Sequence, residues 1–157
     1  MANIASIKGS LLLVKNLLAK KHVRVIEEFG EDILPLALDK NRMGQVFLNL
    51  FLNPVDAMPG GGLIKVRTYK EKLTEDTEEV RPGETAVVAE VEDTKPGIPE
   101  DIFDKIFDPF FTTKRDKGGT GLGLSIVKNI MEMHNGEIKI ENITDSSGVR
   151  VTLVFKE

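Results

Sequence analysis

The chain has 157 residues, 41% hydrophobic and 29% charged, at a net charge of −4; that balance supports a buried core in one domain and excludes a disordered tail or a fibrous repeat. No apolar run approaches the roughly 18 residues of a membrane span, the first ten residues lack a secretory pattern, and the acidic balance argues against a general nucleic-acid binder. The absence of cysteine excludes disulfides, zinc–thiolate sites and thiol catalysis, and two histidines are poor material for a histidine-rich metal site.

Residues 5–20 place Ile7, Leu11, Leu12, Val14, Leu18 and Ala19 at roughly helical spacing, with Leu11 to Leu13 a nearly continuous apolar run. His22 to Phe29 alternates and predicts a strand. Asp32 to Leu38 is a connection containing Pro35. Asp39 is a good N-cap for a second helix, whose one face carries Met43, Val46, Phe47, Leu50 and Phe51. That helix is expected to end near Ala57-Met58, because Pro59-Gly60-Gly61-Gly62 does not continue it. Leu63 to Tyr69 reads as a strand, Glu71 to Glu84 as an acidic, solvated hairpin connection, and Thr85 to Val91 as a central, largely apolar strand. Pro99 to Phe107 predicts a short helix and Asp108 to Thr120 a mobile loop rich in Gly, Lys and Thr. Leu122 to His134 predicts a helix with Leu122, Ile126 and Ile130 in register and Asn135-Gly136 as its stop. Glu137 to Glu141 and Val149 to Phe155 form a closing pair of strands. The order predicts an α+β fold, helices on one face of a mixed sheet, with residues 1–157 as one domain.

Four clusters carry side chains suited to chemistry. Gln45, Asn49 and Asn53 recur every four residues on the second helix, and Asp56 follows. Asn49 and Asn53 therefore share one helical face. Amide oxygens suit Mg²⁺, which keeps several waters and takes few protein contacts; a polar, solvent-facing stripe is the other reading. Asp93, at the end of an apolar strand and followed by Thr94-Lys95-Pro96-Gly97, can accept from the exocyclic amine of a base, and Gly97 lets a ring approach the backbone; the competing reading is an ordinary Pro-Gly turn. Phe107, Phe110 and Phe111 read as a hydrophobic plug that anchors a loop, with Thr112, Thr113 and Lys114 at its edge. Gly118 to Ser125 opens the last helix with glycines, and free backbone N–H groups at a helix's positive end suit phosphate. Lys114, Arg115 and Lys117 add positive charge nearby; a flexible hinge is the alternative. The spacing fits neither G-x-x-x-x-G-K-[ST] nor G-x-G-x-x-G, because Leu124 stands where a third glycine would be.

In this order, Asn-x-x-x-Asn, Asp-x-x-x-Gly, a Phe-rich segment and Gly-Thr-Gly-Leu-Gly-Leu resemble the ATP-binding catalytic domain of sensor histidine kinases, within the ATPase group that includes DNA gyrase B, Hsp90 and MutL. The resemblance runs from about Ile4 to Phe155. Gln45–Met58 is similar to the family's N box, Asp93–Ile98 to its first glycine box, Phe107–Lys114 to its F box and Gly119–Leu124 to its second glycine box. It implies a Bergerat fold, a two-layer α/β sandwich with a mixed, mostly antiparallel sheet and an ATP lid over residues 108–120. ATP and Mg²⁺ are the implied cofactors. Asn53 would ligate Mg²⁺, with Asn49 assisting in metal binding and catalysis. Asp93 would bind the adenine amine and Gly97 would lie against the base. Thr113, Gly119, Thr120, Gly121, Leu122 and Gly123 would line the nucleotide, and Lys114 would meet its terminal phosphate. Hydrolysing relatives place a glutamate where Asn49 stands, and an amide takes no proton from water, which suits transfer to a histidine.

The family's acceptor histidine has a setting that neither His22 nor His134 has, so both read as structural or surface residues. The implied partners are therefore a histidine phosphoacceptor and dimerisation domain and, indirectly, a response regulator receiver domain. Nucleic acid and membrane contacts are not expected, the isolated domain is expected to be a monomer, and the setting is cytoplasmic. Two positions depart from the family: Lys95 stands where Gly is preferred and Pro54 where Ala is preferred. They leave open a nucleotide-impaired or non-catalytic interaction module of the same fold, and a gyrase- or MutL-type hydrolase is a third alternative.

Overall fold

Apolar side chains repeat every three or four residues in the helices and every second residue in the strands, and these two periods sort the chain into a helical layer and a sheet. The computed structural model describes residues 4–30, 39–52, 58, 60–72, 85–94, 96–109, 123–143 and 148–156. Helix α1 spans Ile4–Lys20. It buries Ile7, Leu11, Val14 and Leu18, a single stripe, whereas Leu12 and Leu13 are 72% and 76% exposed. The apolar run at 11–13 therefore straddles the edge of the core. The helix closes on His22, which takes φ 59° and donates its N–H to Ala19 C=O at 3.1 Å. His22 consequently belongs to the turn, and strand β1 runs Val23–Phe29.

Helix α2, Lys40–Leu52, packs Met43, Val46, Phe47, Leu50 and Phe51 into the core. Asp39 caps it as its sequence predicts: Oδ1 accepts Arg42 N–H at 3.1 Å and the carbonyl accepts Met43 N–H at 2.9 Å. The Arg42 amide holds the Asp39 carboxyl below its ordinary range. Where α1 meets α2, Ser10 Oγ donates to Gly44 C=O at 3.3 Å. Residues 53–57 and the expected helix end there lie outside the described residues, and Met58 is not helical.

Strands β2 (Gly62–Lys72) and β3 (Thr85–Asp93) pair antiparallel over nine residues. Both are longer than their sequence pattern predicts, so Glu71 pairs with Ala86 instead of lying in a connection. A 3-10 helix occupies Glu100–Lys105. Helix α3 (Gly123–Met133), β4 (Glu137–Asn142) and β5 (Val149–Lys156) complete the chain. The sheet order is β1-β2-β3-β5-β4. The β1–β2 pair is parallel and the other three are antiparallel, and β3 is central as its apolar run implies.

Val87, Ala89 and Val91 of β3 join Ile64, Val66, Val151, Leu153 and Phe155 in the core against the helices. The opposite face is charged. Glu28 pairs with Lys65 at 3.4 Å and Arg67 at 3.5 Å, Arg67 with Glu90 at 3.3 Å, and Arg150 with Glu92 at 2.8 Å and Glu141 at 3.4 Å. Tyr69 OH donates to Glu90 Oε1 at 2.8 Å, while Glu90 Oε2 faces Arg67 without hydrogen-bond alignment.

The stop of α3 falls at Asn135-Gly136, as its sequence predicts. Asn135 takes the left-handed conformation at φ 57°. Asn135 N–H bonds Glu132 C=O at 3.1 Å and Gly136 N–H bonds Met131 C=O at 2.8 Å, a Schellman closure. Gly136 is required for space, since a Cβ there would stand 2.7 Å from Met131 Cε and 2.9 Å from Val154 O.

Burial and the Glu90 carboxylate push the Tyr69 phenol up to about 12 from 10.0. A raised acid contributes stability below its unfolded pKa and loses it as pH climbs through the folded one. Tyr69→Phe is expected to cost about 1–2 kcal/mol at pH 7 by leaving Glu90 Oε1 without its donor. In urea titrations that gap from the parent chain should shrink between pH 10 and 12. A gap that stays constant would refute the assignment.

Candidate functional site

Side chains from four strands form one row at an end of the sheet. Register pairs Ile64 with Asp93, Asp93 with Val149, and Val149 with Asn142. Alternation puts these residues on the helix side, in step with Val91 and Val151. Asp93 is buried, 6% exposed. The chain then leaves β3 through Thr94. Thr94 Oγ1 accepts Leu63 N–H at 3.1 Å and donates to Met58 Sδ at 3.4 Å. The stretch that follows α2 thus meets the loop that follows Asp93, and Gly62 permits the crowding, because a Cβ there would lie 2.4 Å from Met58 Sδ and 2.6 Å from Thr94 Oγ1.

Helix directions bring Asn49 and Gly123 toward the same end. Asp39, at the start of α2, donates its N–H to His134 Nε2 at 3.2 Å just past the end of α3. The His134 Nδ1 donates to Ile130 C=O at 2.8 Å, an arrangement that needs the neutral ring with its proton on Nδ1. His134 is structural, as its sequence setting implies. With α2's start at α3's finish, the two helices run antiparallel, so Asn49 in the last turns of α2 lies toward Gly123, the first residue of α3. At ~1.5 Å per residue the two helices are about 20 and 16 Å long, a close match.

Asn49 Nδ2 is completely buried and has no hydrogen-bond partner among the described residues. Such a donor costs about 1–3 kcal/mol unless something satisfies it. A phosphate oxygen would do so, and rotation of the amide presents Oδ1 to a hard cation instead. Among the described residues no three carboxylate or imidazole side chains gather as a metal cage. The Asn49 amide is the donor on offer, and an amide oxygen suits Mg²⁺, which takes few protein contacts and keeps several waters.

Asp93, Gly97, Asn49 and Gly123 are the sequence-predicted site residues whose positions are described. Asn53, Thr113, Lys114, Gly119, Thr120, Gly121 and Leu122 lie outside the described residues, as do the departures Pro54 and Lys95 and residues 110–120 of the expected lid. Two residues of this region escape sequence reasoning. Thr94 stands inside a quoted motif but shows its junction role only in three dimensions. Asn142 does carry a signal: the alternation Ile138, Ile140, Asn142 puts a polar side chain on the apolar face of β4.

The family described as histidine kinase-, DNA gyrase B- and HSP90-like ATPase matches residues 38–157. The sensor kinase CckA of Brucella abortus is 39% identical over 139 residues, covering 87% of this chain and 15% of its own length. The sensory histidine kinase/phosphatase NtrB of Rhodobacter capsulatus is 35% identical over 84% of this chain and 37% of its own. The chain thus spans well under half of either relative. Among solved structures, the nucleotide-free catalytic domain of histidine kinase ThkA superposes with a TM-score of 0.76 at 33% identity, covering 97% of this chain and 92% of that one. ThkA in complex with the response regulator protein TrrA gives 0.75 at 30%, covering 99% of this chain and 40% of that one. By sequence and by fold the chain belongs to the histidine kinase-, DNA gyrase B- and HSP90-like ATPases and, within them, to the catalytic domains of sensor histidine kinases.

Proposed function

We propose that this chain binds ATP with Mg²⁺ and passes the terminal phosphoryl group to a histidine on a separate phosphoacceptor and dimerisation domain. A cytoplasmic site of action follows from that role. The observation that carries the reading is the buried Nδ2 of Asn49, which has no hydrogen-bond partner among the described residues, at the end of the fold where Asp93 and the start of α3 also lie. A group held at such a cost is retained where a ligand satisfies it.

In this reading Asp93 accepts from the exocyclic amine of adenine and Gly97 flanks the ring. Asn49 and Asn53 face the phosphates and the metal, and Gly119, Thr120, Gly121, Leu122 and Gly123 offer backbone N–H groups at the positive end of α3. Thr113 and Lys114 close over the terminal phosphate. Mg²⁺, when bound, supplies neutralisation of phosphate charge. The remainder is positioning: the acceptor nitrogen forms a P–N bond as the bond to ADP breaks. Asn49 has no basic lone pair with which to activate water, so the site favours transfer over hydrolysis. By similarity to ThkA, a response regulator receiver domain is the partner that later takes the phosphoryl group. The whole of 1–157 acts as one catalytic domain, a monomer when isolated.

Calorimetric titration with ADP and Mg²⁺ should give saturable heat. Asp93→Asn should weaken ADP tenfold to a hundredfold, roughly the value of a hydrogen bond to a charged group. No heat up to millimolar ADP would leave a non-catalytic module, and an unchanged affinity in the variant would overturn the role of Asp93. Mixed with a separately purified acceptor domain and labelled ATP, the chain should transfer label to histidine; steady phosphate release by the chain alone would favour a hydrolase. Asn49→Leu should abolish Mg²⁺-dependent binding yet unfold at the same or a higher urea concentration, because it removes an unsatisfied donor. A marked loss of stability would make Asn49 a structural residue.

A further inference from the structure

The loop between Asp93 and the 3-10 helix poses a problem of backbone pairing. Pro96 and Pro99 have no N–H, so residues 96–99 offer only the donors of Gly97 and Ile98, and no strand pairing forms with two prolines so placed. The partner for Ile98 is a side chain. Asn142 Oδ1 accepts Ile98 N–H at 2.7 Å, and Asn142 Nδ2 donates to Ile98 C=O at 2.9 Å. One amide thus serves both polar groups of a single residue, as a neighbouring strand would.

Asn142 is well placed for this. It is the last residue of β4, paired with Val149, which pairs in turn with Asp93. Two strand spacings, about 10 Å, separate it from Asp93 on the same face. The loop leaves Asp93, crosses the end of β5 and is caught on the far side. Gly97 sits directly against the catching amide: a Cβ there would stand 2.9 Å from Asn142 Oδ1 and 3.3 Å from Cγ. The height of Gly97 over the sheet end is therefore set by Asn142.

We propose that Asn142 is a positioning residue for base recognition: its amide clamp on Ile98 holds the Gly97 backbone at a fixed height relative to Asp93, and so sets the slot in which a base would lie. The role rests on the nucleotide reading above. It adds a specificity determinant that lies on another strand and touches the ligand only through the loop. A rigid slot selects the base that places an amine at Asp93; a loose one accepts bases less selectively.

The test is displacement of a fluorescent ADP by ADP and by GDP, with Mg²⁺ present, on the whole chain and its variants. Asn142→Leu, close in shape but without the amide, should weaken ADP about tenfold and narrow the ADP-over-GDP preference, because both clamp bonds are lost. Asn142→Asp keeps an acceptor for Ile98 N–H and should fall between, which covers the case in which the leucine variant misfolds. Hydrogen exchange of the Ile98 amide should accelerate in Asn142→Leu while exchange in β3 and β5 stays slow. ADP affinity within twofold of the parent, or an unchanged base preference, overturns the proposal. If the parent chain itself takes no nucleotide, the functional reading falls and this role falls with it. If the parent binds and Asn142→Leu binds equally well, only this role falls.

Discussion

The position of Asp93 depends on the register of the central strand. Side chains alternate between faces along a strand, so a slip of one residue would carry Asp93 to the charged side and bring Glu92 into the core. Two patterns resist that slip. On one face Val87, Ala89 and Val91 interlock with Val151, Leu153 and Phe155. On the other, Glu28, Arg67 and Glu90 alternate in sign across three strands, as do Glu92, Arg150 and Glu141. Each exposed pair is worth little by itself. Together they make displaced registers worse, because like charges would meet.

The helical layer performs the complementary task of bringing an amide and a helix start to the same end. The neutral His134 ring does this through main-chain groups, joining the start of α2 to the finish of α3. The local cost accepted at Asn49 contrasts with satisfied polar groups elsewhere in the fold. Ser10 reaches Gly44, Tyr69 reaches Glu90 and Asn142 reaches Ile98. Among the described residues the other buried side-chain atom without a hydrogen bond is Glu90 Oε2, which faces the Arg67 guanidinium at 3.3 Å.

Much of this architecture was legible in the amino acids alone. Alternation located β1 and β2, an apolar run located β3, and the closing pair β4 and β5 was also legible; the stripes on α1, α2 and α3 and the Asp39 cap were readable because they are local properties. His22 defeats the pattern because its alternation with Val23 and Arg24 continues into a helix-closing turn, where backbone conformation and not polarity decides. The lengths of β2 and β3 exceed the apolar pattern because Lys70, Glu71 and Lys72 are held by pairing, which polarity does not reveal. The motif order identifies the family, whereas the Asn142 clamp joins residues 44 positions apart and has only the faint trace of an amide in an apolar stripe. Pro54 and Lys95 depart from the family's pattern, and nothing in the described structure explains either.

Thr94 joins two stretches of chain through one hydroxyl, accepting from β2 and donating to the sulfur of Met58. The loop that follows Asp93 is thereby mechanically linked to Met58, downstream of α2. Displacement of either is felt by the other, so the free energies of holding a heterocycle and of holding its phosphates would not add as independent increments. A fragment carrying only one half of a nucleotide would then report less than its share of the intact molecule's affinity.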